Sequence, residues 1–266
     1  MSTNPSPSTT EPLYDAVLPA GGRIAGAFAA QAKTEIKALI RFEGETILSR
    51  TIRTLRETGR IRQIVVVAPD AALTEAEQCG ADVLLPEKPT GTENILSGLA
   101  HVAQTPNQTA LVVPTDLPFL TTDALKPILE WQGTADILVP VVWRGEFETE
   151  YPGVQSVYVP LIEGEVTLGS AFRLDPHAIL RNQTALAKVF EARKSNLAMA
   201  QLLGVGFILR YLTKRLSVLH IEQRCQAILN CTGQAMLGAP AALAYDIDTP
   251  EDYEFACRHL ADITGK

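Results

Sequence analysis

The chain has 266 residues, 46% of them hydrophobic and 20% charged, with 18 Gly and 17 Pro, an ordinary globular composition long enough to bury a core without staples. Its net charge of −7 at pH 7 argues against a protein built chiefly to bind nucleic acid, although a small anionic ligand needs only local positive charge. The four cysteines, Cys79, Cys225, Cys231 and Cys257, form no CxxC pair, which argues against a zinc site or a disulfide framework. With no secretory pattern near Met1 and no apolar run of spanning length, we expect a cytoplasmic protein without a membrane span.

Residues 1–12 (MSTNPSPSTTEP) have almost nothing to bury and read as a disordered tail. Ala16–Leu18 reads as a first strand ending in Pro19-Ala20-Gly21-Gly22, and Arg23–Ile36 as a long, Ala-rich, non-periodic loop. The spacing of Ile47, Leu48, Ile52 and Leu55 predicts a helix over Thr46–Glu57. Ile64–Ala68 is a buried strand, Leu73–Cys79 a short helix, Asp82–Leu85 a short strand and Glu93–Val102 a helix. Ala110–Val113 is a further buried strand ending in Pro114-Thr115-Asp116, and Thr121–Trp131 a helix. Strands alternating with helices predict an α/β fold: three layers, a mostly parallel twisted sheet with helices on both faces. Ligands in such sheets bind beyond the carboxyl ends of the strands, which puts Gly21-Gly22 and Asp116 on one rim.

After residue 133 the alternation breaks. Ile137–Val142 and Val154–Leu161 read as extended, Glu163-Gly164-Glu165 as a turn, and Val166–Phe172 as the return of a hairpin. The apolar run Ser195–Leu212 reads first as a packed helix pair jointed at Gly204 and Gly206, and second as a membrane-surface segment too interrupted to span. Ile221–Leu229 is a helix, Ala242–Asp246 a late strand, and Pro250–Ala261 a helix capped by Thr249. The expected organisation is the 1–12 tail followed by one domain over 13–266, with 133–239 as an insertion or lid.

Four groups of residues can carry chemistry. Gly21-Gly22 is a phosphate-loop candidate, since glycine lets backbone N–H groups approach phosphate oxygens; neither GxxxxGK[ST] nor GxGxxG is present. Lys37, after the long loop, is either a solvated charge or a cation held over phosphates. Asp116 is either a hard-metal ligand at a strand end or a cap for the helix near Thr121. Asp246 and Asp248 (DIDTPEDY) are a second carboxylate pair or caps for the helix at Pro250, and we expect only one of them to face Asp116. His101, His177, His220 and His259 are scattered without metal spacing.

Together these pieces resemble the molybdenum-cofactor guanylyltransferase-like (MobA-like) nucleotidyltransferase superfamily. The resemblance rests on AVLPAGGR at 16–23, Lys37-Ala38-Leu39, VVPTDLPFLT at 112–121 and DIDTPEDY at 246–253. It implies a Rossmann-like, nucleotide-diphospho-sugar-transferase-like fold with a hairpin and helical insertion on the acceptor side. It implies that Ala20, Gly21, Gly22 and Arg23 hold the nucleotide and its phosphates, with Lys37 stabilising charge on the triphosphate. Asp116 would bind Mg²⁺ and Asp248, preferred over Asp246, would be the second ligand. Pro89–Gly98 would read base and ribose, through Gly91, Thr92 and Asn94. The implied activity is Mg²⁺-dependent transfer of a nucleoside monophosphate from an NTP to a phosphorylated small-molecule acceptor, with pyrophosphate released. Partners would be the NTP and the acceptor, with no nucleic acid; a homodimer is open. A non-catalytic nucleotide or nucleotide-sugar binding protein and a nucleotide-sugar-dependent glycosyltransferase are the alternatives. One departure stands out: the family's loop usually carries an Arg a few residues after Gly-Gly, whereas Ile24-Ala25-Gly26-Ala27-Phe28 has no cation, leaving Arg23 or Lys33 to substitute.

Overall fold

In chain order the first half of the molecule runs β1 (Tyr14–Pro19), α1 (Gly26–Ala32), β2 (Arg41–Phe42), β3 (Glu45–Thr46), α2 (Ile47–Glu57), β4 (Ile61–Ala68), α3 (Asp70–Gln78), β5 (Val83–Pro86), α4 (Gly91–Val102), β6 (Thr109–Val112) and α5 (Thr122–Leu129). The second half adds β7 (Ile137–Trp143), α6 (Arg144–Glu150), β8 (Val159–Pro160), β9 (Glu165–Leu168), β10 (Phe172–Leu174), α7 (Pro176–Arg181), α8 (Gln183–Ala192), α9 (Asn196–Leu203), α10 (Val205–Leu212), α11 (Val218–Leu229), β11 (Gly233–Leu237) and α12 (Pro250–Thr264). This computed structural model describes residues 14–106, 108–192 and 195–264, so the expected 1–12 tail lies outside the described residues.

Nine of the strands form one mixed sheet in the order β5-β4-β1-β6-β10-β7-β9-β8, with β11 on β7, and β2 pairs with β3 apart from it. The first four are parallel throughout, while β10, β9 and β8 run antiparallel to their neighbours. The parallel half is buried on both faces, as crossover helices require. Ala16, Leu18, Ile64 and Val66 join the core beneath α2 and α3. Val17, Val65 and Val112 alternate to the other face and meet Leu99 and Val102 of α4. Local capping sets the helix starts: Thr46 and Thr121 accept the N–H groups of Ser49 and Ala124, opening α2 and α5. Thr121, not Asp116, therefore caps the helix after the strand-end aspartate.

Four sequence expectations need correction. The Arg23–Ile36 loop contains helix α1, hidden because Phe28 is its one buried side chain and a single apolar residue shows no period. Ala242–Asp246 is not a strand: a 3-10 turn at Ala241–Leu243 leads into extended chain outside the sheet. Of Val154–Leu161, Val159–Pro160 alone is strand, pairing with β9, and helix α6 intervenes after β7. The 195–212 run does form two helices jointed at Gly204, but Gly206 lies inside α10, and α10 buries none of its residues.

Gly98 sets how closely α4 approaches the sheet. A Cβ there would lie 2.3 Å from Cγ1 of Val17 on β1. Gly98→Ala should cost about 1–3 kcal/mol through overpacking. Chemical denaturation should also show strong coupling: Gly98→Ala combined with Val17→Ala should be no less stable than Gly98→Ala alone, because the second change removes the atoms the first one strikes.

Candidate functional site

Strand β1 ends at Pro19, and the chain then closes a tight excursion. The Ala20 N–H continues the ladder to the Val67 carbonyl at 2.9 Å. An isolated antiparallel bridge between Arg23 and Ile36 then clasps the base of the loop around α1. Within that clasp the Ile24 N–H donates to Glu35 O at 2.9 Å and the Lys37 N–H to Gly22 O at 3.0 Å. Lys37, distant from Gly22 in sequence, is thereby fixed beside it, and a Cβ on Gly22 would come within 3.3 Å of the Lys37 side chain. The N–H groups of Gly21, Gly22 and Arg23 donate to no acceptor among the described residues, an arrangement open to an anion.

A cleft of about 430 Å³ borders this loop, lined by Gly21 and Gly22 on one side and by Glu87–Thr92, Asn94 and Ile95 on the other. Helix α4 opens against it, with Thr90 as cap accepting the Glu93 N–H at 3.2 Å. Buried Asn94 accepts the Lys88 N–H at 2.6 Å, and a Cβ on Gly21 would stand 2.7 Å from its Nδ2. Gly91, Thr92 and Asn94 thus share a cleft with Gly21 and Gly22. Glu87 and Lys88 were missed, because nothing in their spacing distinguishes them from ordinary loop charges. Arg23 is held by Glu87 Oε2 at 2.6 Å and by Gly21 O at 2.6 Å. This pair is exposed and so weakly held. Lys33, at the left-handed end of α1, lines neither this cleft nor the C-terminal one.

Asp116 lies just past β6. The Ile247 N–H donates to its carbonyl oxygen at 3.1 Å, joining the C-terminal segment to this strand end. Ile247 is fully buried, so its two neighbours turn to the opposite side together. That corrects the expectation of a single facing carboxylate: positions two apart in extended chain share a face, and oxygens of Asp116, Asp246 and Asp248 all lie within 4.8 Å of one another. Nor do Asp246 or Asp248 cap α12. Thr249 does, its Oγ1 accepting the Asp252 N–H while Asp252 accepts the N–H groups of Asp248 and Thr249. The segment is further fixed by Tyr245, packed 4.7 Å from Phe119 and 4.8 Å from Tyr151.

Lys37 enters this cluster from the glycine loop. Its Nζ pairs with Asp248 Oδ1 and lies 3.7 Å from Asp116 Oδ2. Burial works against the ammonium charge, but Asp116, Asp248 and Asp246 outweigh it and raise the pKa above the usual lysine value. Burial pushes Asp116 up to about 6; Lys37 opposes the rise, and Asp246 and Asp248 add to it. Burial and then Asp248 raise Asp246. Asp116 Oδ1 is buried without a hydrogen-bond partner. An aspartate with a buried, unpartnered oxygen, clustered with two further carboxylates, fits a hard divalent cation such as Mg²⁺, which takes carboxylate oxygens. Beyond Asp246 and Asp248 a second cleft of about 980 Å³ opens, bounded also by residues 152–157, Thr167, Ser170 and α12.

The sequence matches the model of the MobA-like NTP transferase domain over residues 17–241. The chain belongs to that family. As a nucleotidyltransferase it is similar in structure to a hypothetical transferase from Thermus thermophilus, at 28% identity and TM-score 0.80, over 90% of this chain and 98% of that one. A nucleotidyl transferase from Methanothermobacter thermautotrophicus (16% identity, TM-score 0.56, 94% and 99% covered) shares the fold. So does the 2-C-methyl-D-erythritol 4-phosphate cytidylyltransferase from Thermus thermophilus (18% identity, TM-score 0.51, 94% and 98% covered). Among curated proteins none matches.

The raised Asp116 pKa has a consequence for stability. A carboxyl that binds its proton more tightly folded than unfolded costs stability wherever it is ionised in both states, and costs nothing below its unfolded pKa. Stability from this group therefore falls as pH rises from about 4 through 6. In chelator, Asp116→Asn should melt a few degrees above the parent nucleotidyltransferase at pH 8, at about 2–4 °C per kcal/mol for a chain of this size. The gain should vanish near pH 4.

Proposed function

We propose that this nucleotidyltransferase moves a nucleoside monophosphate from an NTP to a phosphorylated small molecule, with pyrophosphate released. The observation that carries the reading is the position of Lys37. Its stem packs on Gly22 at the wall of one cleft, and its ammonium pairs with Asp248 at the wall of the other. In this reading the triphosphate lies along Gly21, Gly22 and Arg23, with base and ribose against Gly91, Thr92 and Asn94. The acceptor occupies the larger cleft. Its phosphate oxygen attacks the α-phosphorus in line; that P–O bond forms as the bond to the β-bridging oxygen breaks, and the departing pyrophosphate carries away the displaced charge. Asp116, Asp246 and Asp248 would hold Mg²⁺, which when bound supplies charge neutralisation on the phosphate oxygens. Lys37, kept protonated by its carboxylate neighbours, offsets the negative charge that builds on the leaving group. Positioning and electrostatics carry the catalysis, and no covalent intermediate with the chain is required.

Acceptor recognition falls to the larger cleft. Arg258 is the one cation lining it and has no ion pair among the described residues. A carboxylate-rich wall facing a single guanidinium suits an acceptor that carries its own anionic group away from the attacking oxygen.

Pyrophosphate release, read with each of the four NTPs, Mg²⁺ and a panel of phosphorylated acceptors, tests the assignment. Asp116→Ala and Asp248→Ala should abolish turnover, and Asp246→Ala should lower it strongly because all three carboxylates share one face. Lys37→Ala should weaken NTP binding and slow transfer by tenfold or more, a charged hydrogen bond being worth about 1.5–3 kcal/mol. Lys37→Arg should restore only part of it. Arg258→Ala should raise KM for the acceptor and leave NTP binding unchanged. A Lys37→Ala protein that binds and turns over every NTP like the parent would overturn the reading.

A further inference from the structure

The helical arm formed by α9, α10 and α11 lies outside both clefts, and the reaction proposed above makes no use of it. Helix α10 is ordered by its ends. Leu216, just beyond it, is fully buried, and the Ile162 N–H donates to the Leu216 carbonyl at 2.8 Å. Glu163 accepts the Val218 N–H at the start of α11, and Arg224 of α11 bonds the Leu202 carbonyl of α9. Phe207 and Ile208 turn partly inward. Val205, Leu209 and Leu212, at spacings i, i+4 and i+7, form one outward stripe with exposures of 86%, 60% and 70%. Leu197 on α9 and Leu219 on α11 are exposed beside it in the chain. Nothing among the described residues covers this stripe.

The charge of the arm is the second observation. Residues 192–221 contain no Asp or Glu, within a chain of net charge −7. Arg210 adjoins the stripe, and Lys214 and Arg215 follow it directly. An exposed apolar stripe bordered by cations, whose nearby acids Glu163 and Glu222 are tied to the Val218 and Ala235 N–H groups, is complementary to an anionic lipid surface, where burial of apolar side chains and attraction to headgroups act together. A two-fold contact between copies through the same face would set cations against cations. No helix among the described residues is long and apolar enough to cross a membrane. We infer that α10, flanked by Arg210, Lys214 and Arg215, docks the protein on the surface of an anionic bilayer.

The test is flotation of the full chain with vesicles of phosphatidylcholine alone and of phosphatidylcholine with about one third phosphatidylglycerol. The protein should float with the anionic vesicles alone, and high salt should release most of it. Leu209→Glu combined with Leu212→Glu, and separately Lys214→Glu combined with Arg215→Glu, should each lower partitioning by about tenfold or more. All four positions are exposed, so circular dichroism and melting temperature should match the parent protein. Failure of the parent protein to float with anionic vesicles would overturn the inference, and so would salt-insensitive flotation equal on both vesicle types. Absence of flotation together with a concentration-dependent dimer, abolished by Leu209→Glu with Leu212→Glu, would assign the stripe to a second copy instead. The test uses no nucleotide, so its outcome is independent of the proposed reaction.

Discussion

Three carboxylates confined to one small volume repel one another, and the rim of this sheet is organised around keeping them there. Asp116 is placed by the end of β6, while Asp246 and Asp248 are placed by burying Ile247 between them and by its main-chain bond to Asp116. Burial first, and then this repulsion, raises the pKa values of Asp116 and Asp246. It is relieved in part by Lys37, which reaches the cluster because the Arg23–Ile36 bridge returns the chain to Gly22. A lysine paired with two of the carboxylates is a natural placeholder for a divalent cation, and a cation entering there would free the ammonium to face phosphate.

The parallel half of the sheet was legible from the sequence because each of its signals is local. Five consecutive apolar residues at Ile64–Ala68 can be satisfied only by a strand covered on both faces. Threonines at 46 and 121 stand directly before helical spacing, where their hydroxyls cap the first turn. Two of the motifs that carried the family resemblance, AVLPAGGR and VVPTDLPFLT, sit at strand ends of this half, where the ladder fixes backbone groups locally. What escaped was whatever depends on a partner far along the sequence. Helix α1 has one buried side chain. The 244–248 segment alternates like a strand, yet its order comes from partners elsewhere: Asp116, Lys37, Asp252 and an aromatic cluster of Phe119, Tyr151 and Tyr245.

The error over Asp246 is of another kind, because positions two apart in extended chain share a face and the local pattern already grouped both acids. A one-in, one-out alternation is visible in Tyr245, Ile247 and the two aspartates between and after them, and it puts both acids on one side. Which side that is depends on what Tyr245 and Ile247 bury against, and that is tertiary information. The mixed half of the sheet is harder still. Strands β8 to β10 are two to four residues long, too short for a period to declare itself, and their register is set by β7 and β6 rather than by their own residues.

The candidate site is therefore assembled from three widely separated stretches: the glycine loop and Lys37 near the start, Asp116 in the middle, and Asp246 to Asp248 near the end. Two of these are anchored in the parallel half of the sheet. The third is held by a main-chain bond to Asp116, the Lys37–Asp248 pair, the buried Ile247 and Tyr245 side chains and the capped start of α12, all outside the sheet. Contacts of such long sequence separation gain nothing until the intervening chain is in place, and local opening of α12 could dismantle the carboxylate cluster while leaving the parallel half folded. The carboxylate cluster therefore joins the rigid sheet to a C-terminal segment outside it, and its geometry depends on both staying in place.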